Sequence, residues 1–148
     1  MSTYTQILYH IVFSTRNRER CLLTEHRADL YRDIWGIIKN KKSHLYRING
    51  VEDHVHILCS LHPMISLADL VKDIKRGSSS WIKEKELFPR FTHWQDGYGA
   101  FTLSTQERDT VIEYIKNQEE HHKRVSFHEE FRSLLEEAGL EFDEKYLL

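Results

Sequence analysis

Apolar and polar residues alternate through Glu52-Asp53-His54-Val55-His56-Ile57-Leu58-Cys59, with Val55, Ile57 and Cys59 on one parity and His54, His56 and Leu58 on the other. Period-two alternation predicts a strand with one buried face. Residues 4–15, rich in β-branched and aromatic side chains, predict an earlier strand. Thr24 is the expected N-cap of a helix running to about Lys41, with Leu30, Ile34, Ile37 and Ile38 at helical spacing. Residues 45–48 and 51–61 read as two strands joined through Asn49-Gly50, a strong hairpin signal. Ser66 is placed to cap a second helix with Leu67, Leu70, Val71 and Ile74 on its apolar stripe, continued by Trp81 and Ile82. A turn and a fourth strand follow over residues 91–103. Ser104 or Thr105 then caps a long helix to about Val125, with Glu107 and Asp109 suited to its first turn. A last helix spans roughly 127–138, ended by Gly139.

The order strand, helix, strand, strand, helix, strand predicts an α+β fold of the ferredoxin-like βαββαβ type. It is one antiparallel sheet with helices on one face, plus C-terminal helices. The expected organisation is a single domain over 1–148, with a core of about 1–104 and a C-terminal part of about 105–148. No apolar run approaches the roughly 20 residues that span a bilayer, and Tyr4-Thr5-Gln6-Ile7-Leu8 alternates like a strand, unlike a secretory signal. Two cysteines, Cys21 and Cys59, suggest no disulfide framework, so a cytoplasmic protein is expected. The net charge of −2 hides an asymmetry, because residues 1–100 carry +4 and residues 101–148 carry −6. A basic surface for a polyanion would come from the first two-thirds.

On a strand, His54 and His56 project from one face about 6.6 Å apart, a workable bite for two imidazoles on one metal ion. On the long helix Tyr114 and Gln118 are four apart and share a face. Singly, each fits a packing or surface role at least as well. Together, two imidazoles and an amide oxygen would leave open positions on a divalent ion, with a phenol one turn away. His10 on the first strand is placed to face the same site, and His121 lies near Gln118 either as a supporting group or on the surface.

His54-Val55-His56 resembles the HUH motif (histidine, hydrophobic, histidine), and Tyr114-Ile115-Lys116-Asn117-Gln118 resembles the Tyr-x-x-x-Gln helix of single-tyrosine HUH transposases. These are the small transposases of insertion sequences that move as single-stranded DNA, and they are related to repeat-associated tyrosine transposases. The stretches 9–16, 94–101 and 117–122 are also similar to this group. The resemblance implies that His54, His56 and Gln118 hold Mg²⁺ or Mn²⁺ and that Tyr114 is the catalytic nucleophile. Tyr114 would attack the scissile phosphate to form a 5′-phosphotyrosine. It further implies hairpin recognition at element ends, and a homodimer in which one copy's tyrosine helix can complete its partner's site. Arg16, Arg18, Arg20, Lys72, Lys75 and Arg76 are the candidate DNA-binding cations, and Trp94 and Tyr98 are candidates for base stacking or core packing. The acidic part from about Phe127 has no chemical role on this reading. Two rivals remain at this point: a non-catalytic single-stranded nucleic-acid-binding protein of the same fold, and a metal-dependent hydrolase that uses water.

Overall fold

The computed structural model describes residues 2–147, so Met1 and Leu148, the ends of the expected domain, lie outside the described residues. Four strands form one antiparallel sheet in the order β2-β3-β1-β4: β1 (Leu8–Ser14), β2 (His44–Gly50), β3 (His54–Ser60) and β4 (Gly99–Leu103). The two central strands, β1 and β3, are almost wholly buried. A strand covered on both faces needs both parities apolar or internally paired, which is why His54 and His56 are buried and not solvated.

The two faces do different work. Tyr9, Ile11, Phe13, Val55, Ile57 and Cys59 pack against α1 (Thr24–Asn40) and α2 (Leu67–Lys85) in the main core. Gly77 lets these two helices approach closely, since a Cβ there would lie 2.7 Å from Ile37 Cδ1. Leu8, His10, Val12, His54, His56 and Leu58 face the other way. They are covered by α3 (Arg108–Lys116), α4 (Gln118–His121) and α5 (Phe127–Glu137), through clusters built on Ile115 and on Phe127, Phe131 and Leu135.

The expected fold class holds, and several boundaries move. Thr24 is the first residue of α1, and Leu23 takes the cap position without a side-chain cap bond. Burial of Cys21 and Leu22 and the bond from Leu22 N to Glu52 O fix the chain just before it. Asn49-Gly50 ends β2 inside the ladder, paired with His56 and Val55, and the turn falls at 51–53. The reason is local. Gly50 allows the His54 carbonyl to approach where a Cβ would lie 2.2 Å from it, and the Asn49 amide donates to the Ile115 and Lys116 carbonyls at the end of α3. Ser66 caps α2, and Ser104 forms a full capping box with Glu107. The long helix expected to run to about Val125 is interrupted at Asn117 (φ −94°, ψ 19°), which separates α3 from α4.

Trp94 belongs to the core. Its ring meets Phe13 and Phe91 edge-on, and Nε1 donates to Ser78 Oγ at 2.9 Å. Tyr98 is exposed. Among the described residues no helix is long and apolar enough to cross a membrane.

Gly99 sets how close α5 can come, because a Cβ at this position would lie 2.5 Å from Phe131 Cε1. Gly99→Val is expected to cost about 1–3 kcal/mol by overpacking, read as a lower urea midpoint with an unchanged slope.

Candidate active site

The site is built by one face of β1 and β3 and by the chain that follows β4. Period-two geometry puts His54 and His56 side by side, with ring centroids 5.1 Å apart. Val12 and Ser14 pair with them across the ladder, and His10 lies one step further along β1. His10 Nε2 is 2.7 Å from His56 Nδ1, and its ring is 6.1 Å from that of Tyr114. On α3, Ile115 inserts against Leu8 and Leu58, which turns its neighbour Tyr114 over the histidines, 5.7 Å from the His56 ring. Gln118, one turn on, is fully buried with its amide oxygen 3.1 Å from His54 Nε2.

The structure therefore brings His54, His56, Tyr114 and Gln118 together within one chain. It adds two residues that the sequence reading did not assign. Glu130 on α5 enters the centre of the cluster: Oε1 lies 3.0 Å from His56 Nε2, 3.2 Å from His54 Nε2 and 3.0 Å from His122 Nε2. Its other oxygen accepts hydrogen bonds from the Tyr114 hydroxyl and, at 2.9 Å, from the Gln118 amide. His121 Nε2 is 3.4 Å from that same oxygen. A signal existed for both. Glu130 falls on the stripe of Phe127, Phe131 and Leu134, where a carboxylate breaks an apolar face. His122 continues the Tyr114–Gln118 spacing by another four residues.

Electrostatics follow from burial and pairing. Burial pulls the His54 pKa down, but the Asp53 and Glu130 carboxylates outweigh it and carry it up to about 9. His56, equally buried but without a partner like Asp53, is lowered to about 4 by burial despite Glu130. His10 is lowered to about 3 by burial and then by His56. Burial works against ionisation of Glu130, yet the hydrogen bonds from His122, His54 and His56 hold its carboxyl far below the usual range. The Tyr114 phenol is pushed up by burial and then by the Glu130 charge. Geometrically, two imidazoles, a third from His122 and the Glu130 carboxylate form a group able to hold a metal ion.

The candidate DNA-binding cations are outside the buried cluster, though Arg20 lines a cleft that reaches it. Arg16, Arg18 and Arg20 are exposed on the loop after β1, where Arg16 bonds His93 and Arg18 bonds His128. Lys72 and Arg76 are exposed on α2. Lys75 is differently placed. Its ammonium donates to the Gln95 and Gly97 carbonyls at 2.8 and 2.6 Å and lies over the Phe13 and Tyr98 rings, bracing the loop before β4. Arg20, Arg27 and Lys123 line a cleft that also reaches Asp53 and His122.

The four-stranded sheet thus presents a histidine pair to a helix that bears a tyrosine. Residues 3–118 match the family described as Transposase IS200 like, and the chain belongs to that family, whose class of activity is DNA transposition. It is 25% identical over 118 residues to the ISDra2 transposase TnpA of Deinococcus radiodurans, covering 76% of this chain and 84% of that protein. Two solved structures share the fold at a TM-score of 0.62. One is a Deinococcus radiodurans protein described as a transposase, at 24% identity over 80% of this chain and 95% of that one. The other is a REP-associated tyrosine transposase bound to a REP hairpin, at 16% identity. The second match covers 100% of this chain and 92% of that one, so the C-terminal helices lie within the shared fold.

The shifted histidines fix the pH dependence of the metal-free chain. A pKa raised from 6.5 to about 9 makes the His54 contribution complete below about pH 6.5 and loses it as pH rises through 9. His10 and His56, lowered to about 3 and about 4, oppose folding increasingly as pH falls below 6.5. The melting temperature of EDTA-treated protein is therefore expected to peak near pH 6.5 and fall in both directions, measured by circular dichroism.

Proposed function

We propose that this chain cleaves and rejoins single-stranded DNA through a covalent Tyr114 intermediate, with a divalent ion, Mg²⁺ or Mn²⁺, at His54, His56 and Gln118. The observation that carries the reading is the placement of the Tyr114 ring against the histidine pair of its own chain, with Gln118 one turn on. The donor set fits such an ion: two imidazole nitrogens and an amide oxygen converge in a buried pocket. When bound, the ion supplies Lewis-acid polarisation of the scissile phosphate.

The protein side of the chemistry is nucleophilic. The Tyr114 oxygen attacks phosphorus, the bond to the 3′-oxygen breaks, and that oxygen is protonated as a free 3′-hydroxyl. The enzyme keeps the 5′-phosphate as a phosphotyrosine ester. A second 3′-hydroxyl reverses the step, so rejoining needs no nucleotide hydrolysis. Glu130 accepts the Tyr114 hydroxyl hydrogen and so orients the phenol beside the histidine pair. Burial of His54, His56 and Gln118 excludes bulk water from the reacting centre, favouring transfer to a strand over hydrolysis.

The proposed substrate is single-stranded DNA with a hairpin near the element end. Support comes from the relative solved with a REP hairpin and from the exposed cations Arg16, Arg18, Arg20, Lys72 and Arg76. Lys75 serves as a brace for the loop that carries Tyr98. The resemblance implies a homodimer. Within one copy Tyr114 and Gln118 already lie against the histidine pair.

The test is a labelled single-stranded oligonucleotide carrying a cognate end hairpin, with Mn²⁺ or Mg²⁺, resolved on a denaturing gel. Wild-type protein is expected to give a metal-dependent covalent band that Tyr114→Phe loses while still binding the hairpin. Continued cleavage by Tyr114→Phe would point instead to a water-using hydrolase. Tight binding with no band from wild type would favour the binding-only reading. Replacing Arg16 and Arg20 by Ala is expected to weaken binding at all sequences alike and to reduce the dependence of log K on log salt by about 2, read by fluorescence anisotropy.

A further inference from the structure

Two donors beyond His54, His56 and Gln118 converge on the same point, and both come from the chain after the tyrosine helix. Glu130 Oε1 lies 3.0 Å from His122 Nε2, 3.0 Å from His56 Nε2 and 3.2 Å from His54 Nε2. All four donor atoms lie within 4.8 Å of one another. Ligands roughly 2.0–2.1 Å from a shared ion are about 3.0 Å apart along an octahedral edge and about 3.4 Å apart along a tetrahedral one. The carboxylate-to-imidazole separations match such edges.

Hydrogen-bond roles point the same way. His122 Nδ1 is 2.6 Å from the Val125 carbonyl, which can only accept, so this nitrogen carries the proton. His54 Nδ1 donates likewise to the Asp53 carboxylate at 2.7 Å. Each neutral ring then presents Nε2 as a bare lone pair. That lone pair meets acceptors: Glu130 Oε1 for both rings, and the Gln118 oxygen for His54. Acceptors facing acceptors in a buried pocket are unfavourable unless a cation lies between them. One metal ion fills that role for every donor at once. Outer partners such as Asp53 and the Val125 carbonyl are also those that orient metal-binding histidines.

We propose that His122 and Glu130 join His54 and His56 as ligands of the metal ion, making a three-imidazole, one-carboxylate centre that takes first-row transition ions in preference to Mg²⁺. This rests on the reading above only in placing a metal at this site. Imidazole suits Zn²⁺, Fe²⁺ and Ni²⁺, the Glu130 carboxylate also suits Mn²⁺, and Mg²⁺ prefers an all-oxygen shell with retained waters. The second Glu130 oxygen holds the Tyr114 hydroxyl and the Gln118 amide, so one side chain links nucleophile and ion. The acidic C-terminal helix then has a chemical role.

The full chain, stripped with EDTA, is titrated with Mn²⁺, Zn²⁺ and Mg²⁺ by calorimetry, and the Mn²⁺ form is examined by pulsed electron paramagnetic resonance. The variants are Glu130→Gln, His122→Asn, His54→Ala and Tyr114→Phe, each checked by circular dichroism. Expected are tighter binding of Mn²⁺ and Zn²⁺ than of Mg²⁺, hyperfine coupling to three imidazole nitrogens, and affinity reduced by about 10–100-fold or more in Glu130→Gln and His122→Asn. Tyr114→Phe removes only an outer hydrogen bond to Glu130 and should lose less affinity than Glu130→Gln. Wild-type or tighter affinity in both Glu130→Gln and His122→Asn, with loss only in His54→Ala, would overturn the proposal: Glu130 would then merely occupy the place of the ion. His122→Asn keeps the question answerable if Glu130→Gln does not fold. These titrations contain no DNA, so their failure is separable from failure to form the Tyr114 adduct.

Discussion

A carboxylate buried among imidazoles is the interaction on which the rest of this structure depends. Glu130 is 3% exposed and bonded by His54, His56, His122, Tyr114 and Gln118. A charge in that position is tolerable only if every partner is in place. The partners come from β3, α3, α4 and the turn before α5, so one group requires four segments to be correctly docked. The apolar side of α5 supplies the driving force for insertion: Phe127 stacks on the His54 ring with centroids 4.2 Å apart, and Phe131 packs over Gly99. Burial of these rings offsets the desolvation of the carboxylate they carry in.

The sheet divides the labour by parity. One set of alternate residues packs against α1 and α2 and behaves as an ordinary core, from Ile11 and Phe13 to Val55, Ile57 and Cys59. The other set is a polar floor under an apolar roof, where His10, His54 and His56 are internally bonded because no water reaches them. A register slip of one residue in β3 would exchange the two sets and bury imidazoles in the core. Closure of the β2–β3 hairpin on the Gly50 contact with the His54 carbonyl therefore protects the chemistry as well as the fold.

Much of this was legible from periodicity and capping. The alternation in β1 and β3, the stripe of Leu70, Val71 and Ile74, and the caps at Ser66 and Ser104 all mark their elements locally, and strand order follows from them. The Asn49-Gly50 turn misled because both residues answer to tertiary needs: a close carbonyl, and the open end of a helix far along the chain. The site was legible as far as its own spacing reached. His54, His56, Tyr114 and Gln118 sit within short motifs, and the structure brings them together. Glu130 was not assigned, since its meaning lies in contacts across 74 to 76 residues of sequence, and only its intrusion into an apolar stripe hinted at burial.

The break at Asn117 has a further consequence. Tyr114 and Gln118 belong to one recognition face yet stand on two helical segments, and the Asn49 amide grips only the first, through the Ile115 and Lys116 carbonyls. The tyrosine is anchored to the sheet edge, while α4 is tied to the sheet through Gln118 and leads directly into the turn before α5. The joint separates one arm that bears the nucleophile from a second arm that leads into the C-terminal helix. The nucleophile and the buried carboxylate thus reach the histidine strand from separately anchored segments, and the angle between them is set at a single residue.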